Sequence, residues 1–345
     1  MILDLPPGAL LDKTQLIARA ARAQGGCALL VGGYVRDALL GLDPKDADVE
    51  VYGIQSDDLL KILRKFGRVN CVGESFQVLK LAWNEKGERH ELDVSIPRRD
   101  VKTGDGHRGF SVEGDPHSSI EDAARRRDFT INAILCDPLT GEILDPFNGR
   151  ADLENKILRI VDAKHFAEDS LRVLRAMQFA ARLELTIDPA TIELCRSIDL
   201  SDLPRERIWG EWEKLLLKAP QPSIGLRVAW QLGILEQLFP YLQSTLMRRG
   251  KELLATLDGA AREKSELDYP RQVTLMLASL GIFLGWRTKS RHGIGRMLDD
   301  LNIHTLDGYD VRKNTIWLVG ERKRALDWFR RREGVEDKEL SLIHI

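Results

Sequence analysis

The chain has 345 residues, of which 43% are hydrophobic and 30% are charged, a balance typical of a globular protein with enough apolar residues for more than one domain. A net charge of −2 argues against polyanion binding by the whole surface, and no apolar run approaches the roughly 20 residues that span a bilayer. The cysteines form no CxxC or Cys/His cluster, which argues against a zinc site or a disulfide framework. We therefore expect a cytoplasmic protein with reduced thiols and no membrane role.

The first informative stretch is LLVGGYVRDALLGLDPKDADVE, which begins at Leu29. It predicts a strand, a glycine turn, a helix that bears an arginine, and a second strand that bears two aspartates on one face. Paired carboxylates beside a glycine turn and an arginine predict a site for Mg²⁺ and a nucleoside triphosphate. Taken singly, the pieces are also typical of a simple turn, a surface ion pair and a solvated strand edge. The residues concerned are Gly32, Gly33, Arg36, Asp46 and Asp48.

The following residues predict a mixed sheet. A helix capped by Ser56 leads into strand-like runs at 68–72, 77–83 and 90–96, and a turn at 84–87 joins the last two into a hairpin. Irregular alternation of helices and strands favours a mixed sheet over a fully parallel one. In the last run Asp93 is a third carboxylate that could reach the metal ions, although a solvent-facing acidic strand has the same pattern.

Two segments then break the apolar periodicity. Residues 97–117, PRRDVKTGDGHRGFSVEGDPH, are polar and rich in glycine, which predicts a mobile functional loop or simple surface disorder. The string RRRDFTINA follows, and its three arginines abut an apolar segment that ends at Cys136. We expect at least one guanidinium to be held at a domain edge, where its planar donors suit a triphosphate.

The stretch EDSLRVLRAMQFAARL predicts an amphipathic helix from Glu168 to Leu183. Asp169, Arg172 and Arg175 lie three residues apart on one slanting polar stripe, which Gln178 continues. From the residues alone, a structural ion pair between Asp169 and Arg172 is the favoured interpretation. Strand signals nearly vanish after this region, and the remainder of the chain is predicted to be helical.

Several of these strings closely resemble the signatures of one family. LVGGYVRDALLG with DADVEVYG, then RRDFTINA, DPFNG and EDSLRVLRAMQFAARL, are similar to motifs of the class II tRNA nucleotidyltransferases, the CCA-adding enzymes, and their poly(A) polymerase relatives. The resemblance covers residues 27 to about 240 and then fades. It implies an α+β fold with a mixed-sheet nucleotidyltransferase head over residues 1–145. A helical neck and body would follow over 146–240, and a helical, RNA-contacting tail over 241–345.

The resemblance also implies an activity, the addition of C, C and A to the 3′ end of tRNA from CTP and ATP without a nucleic-acid template. It places two Mg²⁺ on Asp46 and Asp48, with Asp93 assisting deprotonation of the 3′-hydroxyl. Gly32, Gly33, Arg36 and Arg127 would hold the triphosphate. Asp169 and Arg172 would select the base, and Arg175 would continue the nucleotide contacts. Gln178 stands where relatives often have a further arginine.

Other functions remain open at this point: addition of A alone or of CC alone, poly(A) synthesis, and nucleotide or RNA binding without catalysis. The intact segment 97–117 counts against CC-only addition, because the resemblance assigns this loop a part in switching from C to A. The three carboxylates count against a module without catalysis. No His-Asp pair occurs in the last hundred residues, so we expect the phosphohydrolase domain of some longer relatives to be absent.

Overall fold

The computed structural model describes residues 2–72, 78–102, 110–284 and 293–321. The chain divides into two compact units, Met1–Glu168 and Asp169–Ile345. Within these described ranges no helix is long and apolar enough to cross a membrane.

The first unit contains ten strands and six α-helices among its described residues. The strands are β1 Cys27–Val31, β2 Asp48–Tyr52, β3 Arg68–Val72, β4 Val78–Glu85, β5 Glu88–Ser95, β6 Arg98–Lys102, β7 Phe110–Gly114, β8 Leu135–Cys136, β9 Ile143–Leu144 and β10 Ile157–Leu158. The helices are α1 Ala9–Arg22, α2 Gly33–Leu39, α3 Ser56–Leu63, α4 Ile120–Arg125, α5 Gly149–Glu154 and α6 Ala163–Ala167.

Seven of these strands form one sheet in the order β3-β4-β5-β2-β1-β8-β9. Strands β2 and β5 run parallel, whereas the other neighbours in this order are antiparallel. The hairpin β4-β5 turns at Lys86 and Gly87, both of which have positive φ, as a tight two-residue hairpin turn requires. The predicted mixed sheet is confirmed.

The two faces of the sheet differ in chemistry because side chains alternate along each strand. Val49 and Val51 point to the face that packs on α1 and α3, where the larger apolar core lies. Asp48, Glu50 and Tyr52 lie on the opposite face, beside a smaller apolar cluster that includes Ala123 and Ala124 of α4. The acidic residues of β2 are thus kept out of the main core.

The second unit is mostly helical. Its helices are α7 Leu171–Arg182, α8 Pro189–Ser197, α9 Arg205–Lys218, α10 Pro222–Gln231, α11 Ile234–Leu238, α12 Pro240–Glu263, α13 Tyr269–Leu284 and α14 Ile294–Asp300, with a further helical stretch over 311–321. Short strands are β11 Thr186–Ile187, β12 Thr305–Leu306 and β13 Tyr309–Asp310. Trp212 is fully buried and meets Phe239 edge to face with ring centroids 5.1 Å apart. A mixed-sheet head followed by a mainly helical region agrees with the predicted fold class.

Two predicted helix starts differ from the structure. Helix α7 begins at Leu171, so Asp169 precedes it, because the Asp169 carboxylate accepts a hydrogen bond from the first helical N–H instead of joining the helix. Ser56 is the first residue of α3 and not its cap, a position that Gln55 occupies.

Segment 97–117 is not a featureless loop. Strands β6 and β7 pair antiparallel within it, since backbone pairing needs no apolar periodicity, and residues 103–109 lie outside the described residues. The boundary between the two compact units falls after Glu168, whereas the predicted end of the catalytic head near 145 stays a prediction.

Candidate active site

The glycine turn joins β1 directly to α2. Gly32 has φ 68° and ψ −125°, a backbone conformation that is essentially restricted to glycine, and α2 begins at Gly33. A Cβ placed on Gly32 would lie 3.2 Å from Nη1 of Arg127, whereas the nearest atom to one on Gly33 is Nη2 of Arg36 at 3.7 Å. The turn therefore lies close to both arginines that the sequence predicted to hold a triphosphate.

Arg36 ties helix α2 to the RRDFTINA segment. Its side chain is only 5% exposed, and Nε and Nη2 donate to Oδ1 of Asp37 at 2.8 and 2.6 Å. Nη1 donates to Oδ1 of Asn132 at 2.7 Å, and Asn132 donates in turn to Asp128 at 3.1 Å. These contacts make Arg36 a bridge within the protein, and its predicted contact with nucleotide stays a prediction. The sequence did not reveal the partners Asn132 and Asp128.

The acidic residues meet where β2 and β5 run side by side. Asp48 is the register partner of Asp93, so their side chains leave the same face of neighbouring parallel strands, and Asp46 lies two residues before the first residue of β2. The pKa of Asp48 is raised, chiefly because surrounding protein atoms displace part of its hydration although it stays open to solvent; Arg127 opposes this, while Asp93, Asp46 and Glu50 add to it. The four carboxylates therefore repel one another at this spot.

Asp93 has a neighbour that the sequence did not reveal. Nζ of Lys80 lies 3.3 Å from Oδ1 of Asp93, a buried oxygen that accepts no well-oriented hydrogen bond from any described residue. The pKa of Lys80 is raised, first by the charge of Asp93. The register of the β4-β5 hairpin pairs Lys80 with Asp93, so a correct placement of the two-residue turn at Lys86 and Gly87 would have found this contact.

The donor set suits a magnesium ion. Mg²⁺ prefers oxygen ligands, keeps several waters, and is commonly bound by one or two carboxylates together with substrate phosphates. Asp46 and Asp48 supply such carboxylates, and Asp93 Oδ1 is a buried oxygen without a hydrogen bond. Among the described residues no three His, Cys, Asp or Glu side chains converge into a ready metal cage. The chemistry of the residues fits Mg²⁺ held jointly with a substrate.

Arg127 directly follows Arg126, the C-cap of α4, and its side chain lies close to the glycine turn. Its Nη2 lies 3.4 Å from Oε2 of Glu50, and the same oxygen accepts a 2.8 Å hydrogen bond from the hydroxyl of Tyr52. Glu50 is buried, with 8% of its surface exposed. The sequence interpretation missed Glu50, although strand alternation places it on the face of Asp48.

The second unit holds the residues that the family resemblance assigns to base selection. Asp169 lies in the break between α6 and α7, and Nη2 of Arg207 on α9 contacts both its carboxylate oxygens at 3.2 Å. Arg172 and Arg175 are half-buried on α7, and the Arg175 guanidinium stacks over Phe179 at 5.3 Å. The predicted partner of Asp169 was Arg172, and Arg207 was not anticipated.

Gln178 differs in environment from these arginines. Its side chain is buried, with 1% of its surface exposed, and Oε1 accepts a 3.1 Å hydrogen bond from Nη1 of Arg182. A charged side chain at this buried position would carry an unpaired charge, whereas the amide of Gln178 is uncharged.

The predicted residues thus fall into two groups. Those for metal and triphosphate converge on the glycine turn and the β2-β5 edge in the first unit, and those for the base lie at the start of α7 in the second unit.

Two family models match the chain. Residues 28–159 match the poly A polymerase head domain, and residues 184–246 match the probable RNA and SrmB-binding site of polymerase A. The first match covers the glycine turn, the three aspartates and Arg127.

Two named proteins are similar to this chain in sequence. The chain is 42% identical over 220 residues to a CCA-adding enzyme of Marinobacter nauticus. This alignment covers 62% of this chain and 55% of that protein. It is 39% identical over 222 residues to a multifunctional CCA protein of Stenotrophomonas maltophilia, which covers 62% of this chain and 52% of that protein. The chain therefore matches only about half the length of these relatives.

A solved structure has a similar fold. The Thermotoga maritima CCA-adding enzyme complexed with tRNA(CCA) superposes with a TM-score of 0.68, covering 99% of this chain and 80% of that one. Its sequence identity of 20% shows likeness of fold alone.

Proposed function

Because residues 28–159 carry the poly(A) polymerase head domain and the chain is a relative of the CCA-adding enzymes, we propose that it is a tRNA nucleotidyltransferase. It adds C, C and A to the 3′ end of tRNA from CTP and ATP, without a nucleic-acid template, and releases pyrophosphate. The observation that carries this proposal is the placement of Asp48 beside Asp93 on the polar face of the matched head domain, with the glycine turn and Arg127 nearby.

The first step is binding of the triphosphate. Asp46 and Asp48 would hold Mg²⁺ ions, which would neutralise phosphate charge. Partial loss of hydration raises the pKa of Asp48 most, and repulsion from Asp93, Asp46 and Glu50 raises it further, so the site gains from a cation. Gly32 and Gly33 let the phosphates approach the backbone, and Arg127 donates to their oxygens.

The chemical step needs a deprotonated 3′-hydroxyl. The carboxylate of Asp93 is the acceptor for that proton, since it lies on the same face as Asp48, its register partner. The hydroxyl oxygen then attacks the α-phosphorus of the nucleotide, and the bond to pyrophosphate breaks. Nζ of Lys80 at 3.3 Å from Asp93 compensates the charge of this carboxylate before the substrate binds.

The base is chosen by side chains in place of a template. A carboxylate accepts from an exocyclic amine and a guanidinium donates to a ring nitrogen or carbonyl, which gives CTP and ATP separate patterns at Asp169 and Arg172. Because Arg207 already contacts both oxygens of Asp169, we propose that it orients this carboxylate for the base. Residues 184–246 and the helical tail would contact the RNA.

One assay tests the proposal against its rivals. Purified protein with Mg²⁺ is given tRNA that ends before CCA, after CC, or after CCA, with CTP and ATP supplied separately and together, and product lengths are read on a sequencing gel. The proposal expects three added nucleotides on the first substrate, one A on the second and none on the third. A long A tail would indicate a poly(A) polymerase. Growth only of the tRNA that ends in CC would indicate an A-adding enzyme, and arrest after CC would indicate a CC-adding enzyme. No growth of any tRNA would indicate a binding module without catalysis.

A further inference from the structure

Glu50 is a buried acidic residue for which the proposed reaction provides no role. It lies on β2 two residues after Asp48, and only 8% of its surface is exposed. A buried carboxylate is costly unless hydrogen bonds and an opposite charge compensate it. Both compensations converge on one atom, Oε2, which accepts from the Tyr52 hydroxyl at 2.8 Å and lies 3.4 Å from Nη2 of Arg127.

On a second side Arg127 lies close to the glycine turn. Nη1 lies where a side chain on Gly32 would otherwise stand, at 3.2 Å from the position of its Cβ. Nε is buried and has no hydrogen-bond partner among the residues that the structure describes. The guanidinium is therefore held by Glu50 at one corner and lies beside the turn at another, while one buried donor is left unsatisfied. A buried donor without a partner is destabilising by itself, so its retention beside a phosphate-binding turn is consistent with a ligand that completes it.

We propose that Glu50 is a positioning residue that holds Arg127 against the glycine turn, in the orientation that receives the triphosphate, and that Tyr52 fixes Glu50 for this purpose. This inference rests on the proposed function and goes beyond it by assigning roles to Glu50 and Tyr52. The long 3.4 Å contact orients the arginine while leaving its charge available to phosphate. Before the nucleotide binds, the same contact compensates a guanidinium whose side chain is only 22% exposed.

Metal ligation is the obvious rival role for an acid so near Asp48. The geometry argues against it, because Oε2 of Glu50 already accepts from the Tyr52 hydroxyl and contacts Nη2 of Arg127. The two roles predict that a substitution of Glu50 depends differently on the presence of Arg127. A positioning residue acts through Arg127, whereas a metal ligand acts regardless of Arg127.

A double-mutant cycle separates these roles. Glu50→Gln, Arg127→Ala and the double variant are compared for the Kd of CTP in the absence of tRNA, and for KM and kcat on tRNA that lacks CCA. We expect Glu50→Gln to weaken CTP binding and raise its KM about tenfold, the effect of one charge-assisted hydrogen bond, with a smaller change in kcat. In the Arg127→Ala background the same substitution should have little further effect. Tyr52→Phe should act in the same direction and more weakly.

Additive effects in the cycle, or a collapse of kcat with an unchanged KM for CTP, would overturn the inference. Glu88→Gln is the matched control, because Glu88 is exposed in the β4-β5 turn region and should leave every constant unchanged. If Glu50→Gln does not fold, Tyr52→Phe in the same cycle decides, since additivity there has the same meaning.

Failure of the inference can be told from failure of the proposed function. If the wild-type protein extends no tRNA, the proposed function is wrong, yet the CTP-binding cycle still tests Glu50. Inorganic tripolyphosphate is the second probe, and it lacks a base and a sugar. Loss of coupling for both probes in a protein that does extend tRNA overturns the role of Glu50 alone, and a wild-type protein that binds neither probe overturns it as well.

Discussion

Substitution of Gly32 or Gly33 by alanine tests most sharply whether the glycine turn binds the triphosphate. From the structure we expect opposite effects of the two substitutions on stability and the same weakening of CTP binding. At Gly32 the φ of 68° with ψ of −125° is strained for alanine, at a cost of about 1–3 kcal/mol. The new methyl group also meets Arg127 Nη1 at 3.2 Å. Gly33 starts α2 with 3.7 Å to its nearest neighbour, so alanine there should stabilise the helix by up to about 1 kcal/mol.

Hydrogen exchange of the β1 and β2 amides measures these changes in the first unit without interference from the helical unit. The opening free energy of these strands should fall by about 1–3 kcal/mol in Gly32→Ala and stay equal or rise in Gly33→Ala. Both variants should bind CTP more weakly, since a methyl group at either position blocks close approach of phosphate to the backbone. If Gly33→Ala, with its intact fold, binds and uses CTP like the wild-type protein, the turn does not cradle the triphosphate.

Three further substitutions probe the structure around the site. Asp162→Ala should cost about 1 kcal/mol in thermal denaturation at neutral pH, because this residue caps α6. The backbone N–H of His165 holds the pKa of Asp162 below its usual value, so the stabilisation exists above about pH 3.9 and is lost as the pH falls through the lowered pKa. Gln178→Arg should destabilise the protein by roughly 3 kcal/mol by burying a charge. Gly149→Ala should destabilise strongly in the same assay, because its Cβ would lie 2.0 Å from the Thr130 carbonyl oxygen.

Each of these substitutions has a matched control. Asp162→Asn keeps the cap and should lose the pH dependence. Gln178→Met is close in size without charge and should be milder than the arginine variant. Gly210→Ala places a methyl group where nothing lies within 4 Å on α9, and should not destabilise. Equal melting temperatures for a variant and the wild-type protein would refute the contact on which that prediction depends.

Much of the fold could be predicted because strong patterns repeat over short distances. Strand β3 has the predicted bounds, 68–72, since apolar residues alternate along it. The mixed character of the sheet followed from one hairpin between strands that otherwise alternate with helices. Helix α7 was predicted too long because periodicity continues through Asp169, whereas the carboxylate of that residue binds a free N–H and ends the pattern.

The site was predicted less completely because its partners are distant in sequence. Arg36 is held by Asn132, 96 residues away, and Glu50 meets Arg127 across 77 residues. No periodicity within one element reports such pairs. The Asp48 and Asp93 pairing could be anticipated only as a shared face, since the register between parallel strands is set by the crossover and not by a local turn.

The direct test of metal-dependent nucleotide transfer is extension of tRNA lacking CCA by the Asp46→Ala variant, with CTP, ATP and Mg²⁺. Asp43→Ala is the control, because Asp43 is an exposed acid in the same connection between α2 and β2. We expect the control and the wild-type protein to add three nucleotides and stop. We expect no added nucleotide with Asp46→Ala, although its circular dichroism and melting temperature are unchanged. Normal extension by Asp46→Ala would contradict the assignment of this carboxylate to the metal ions and with it the proposed active site.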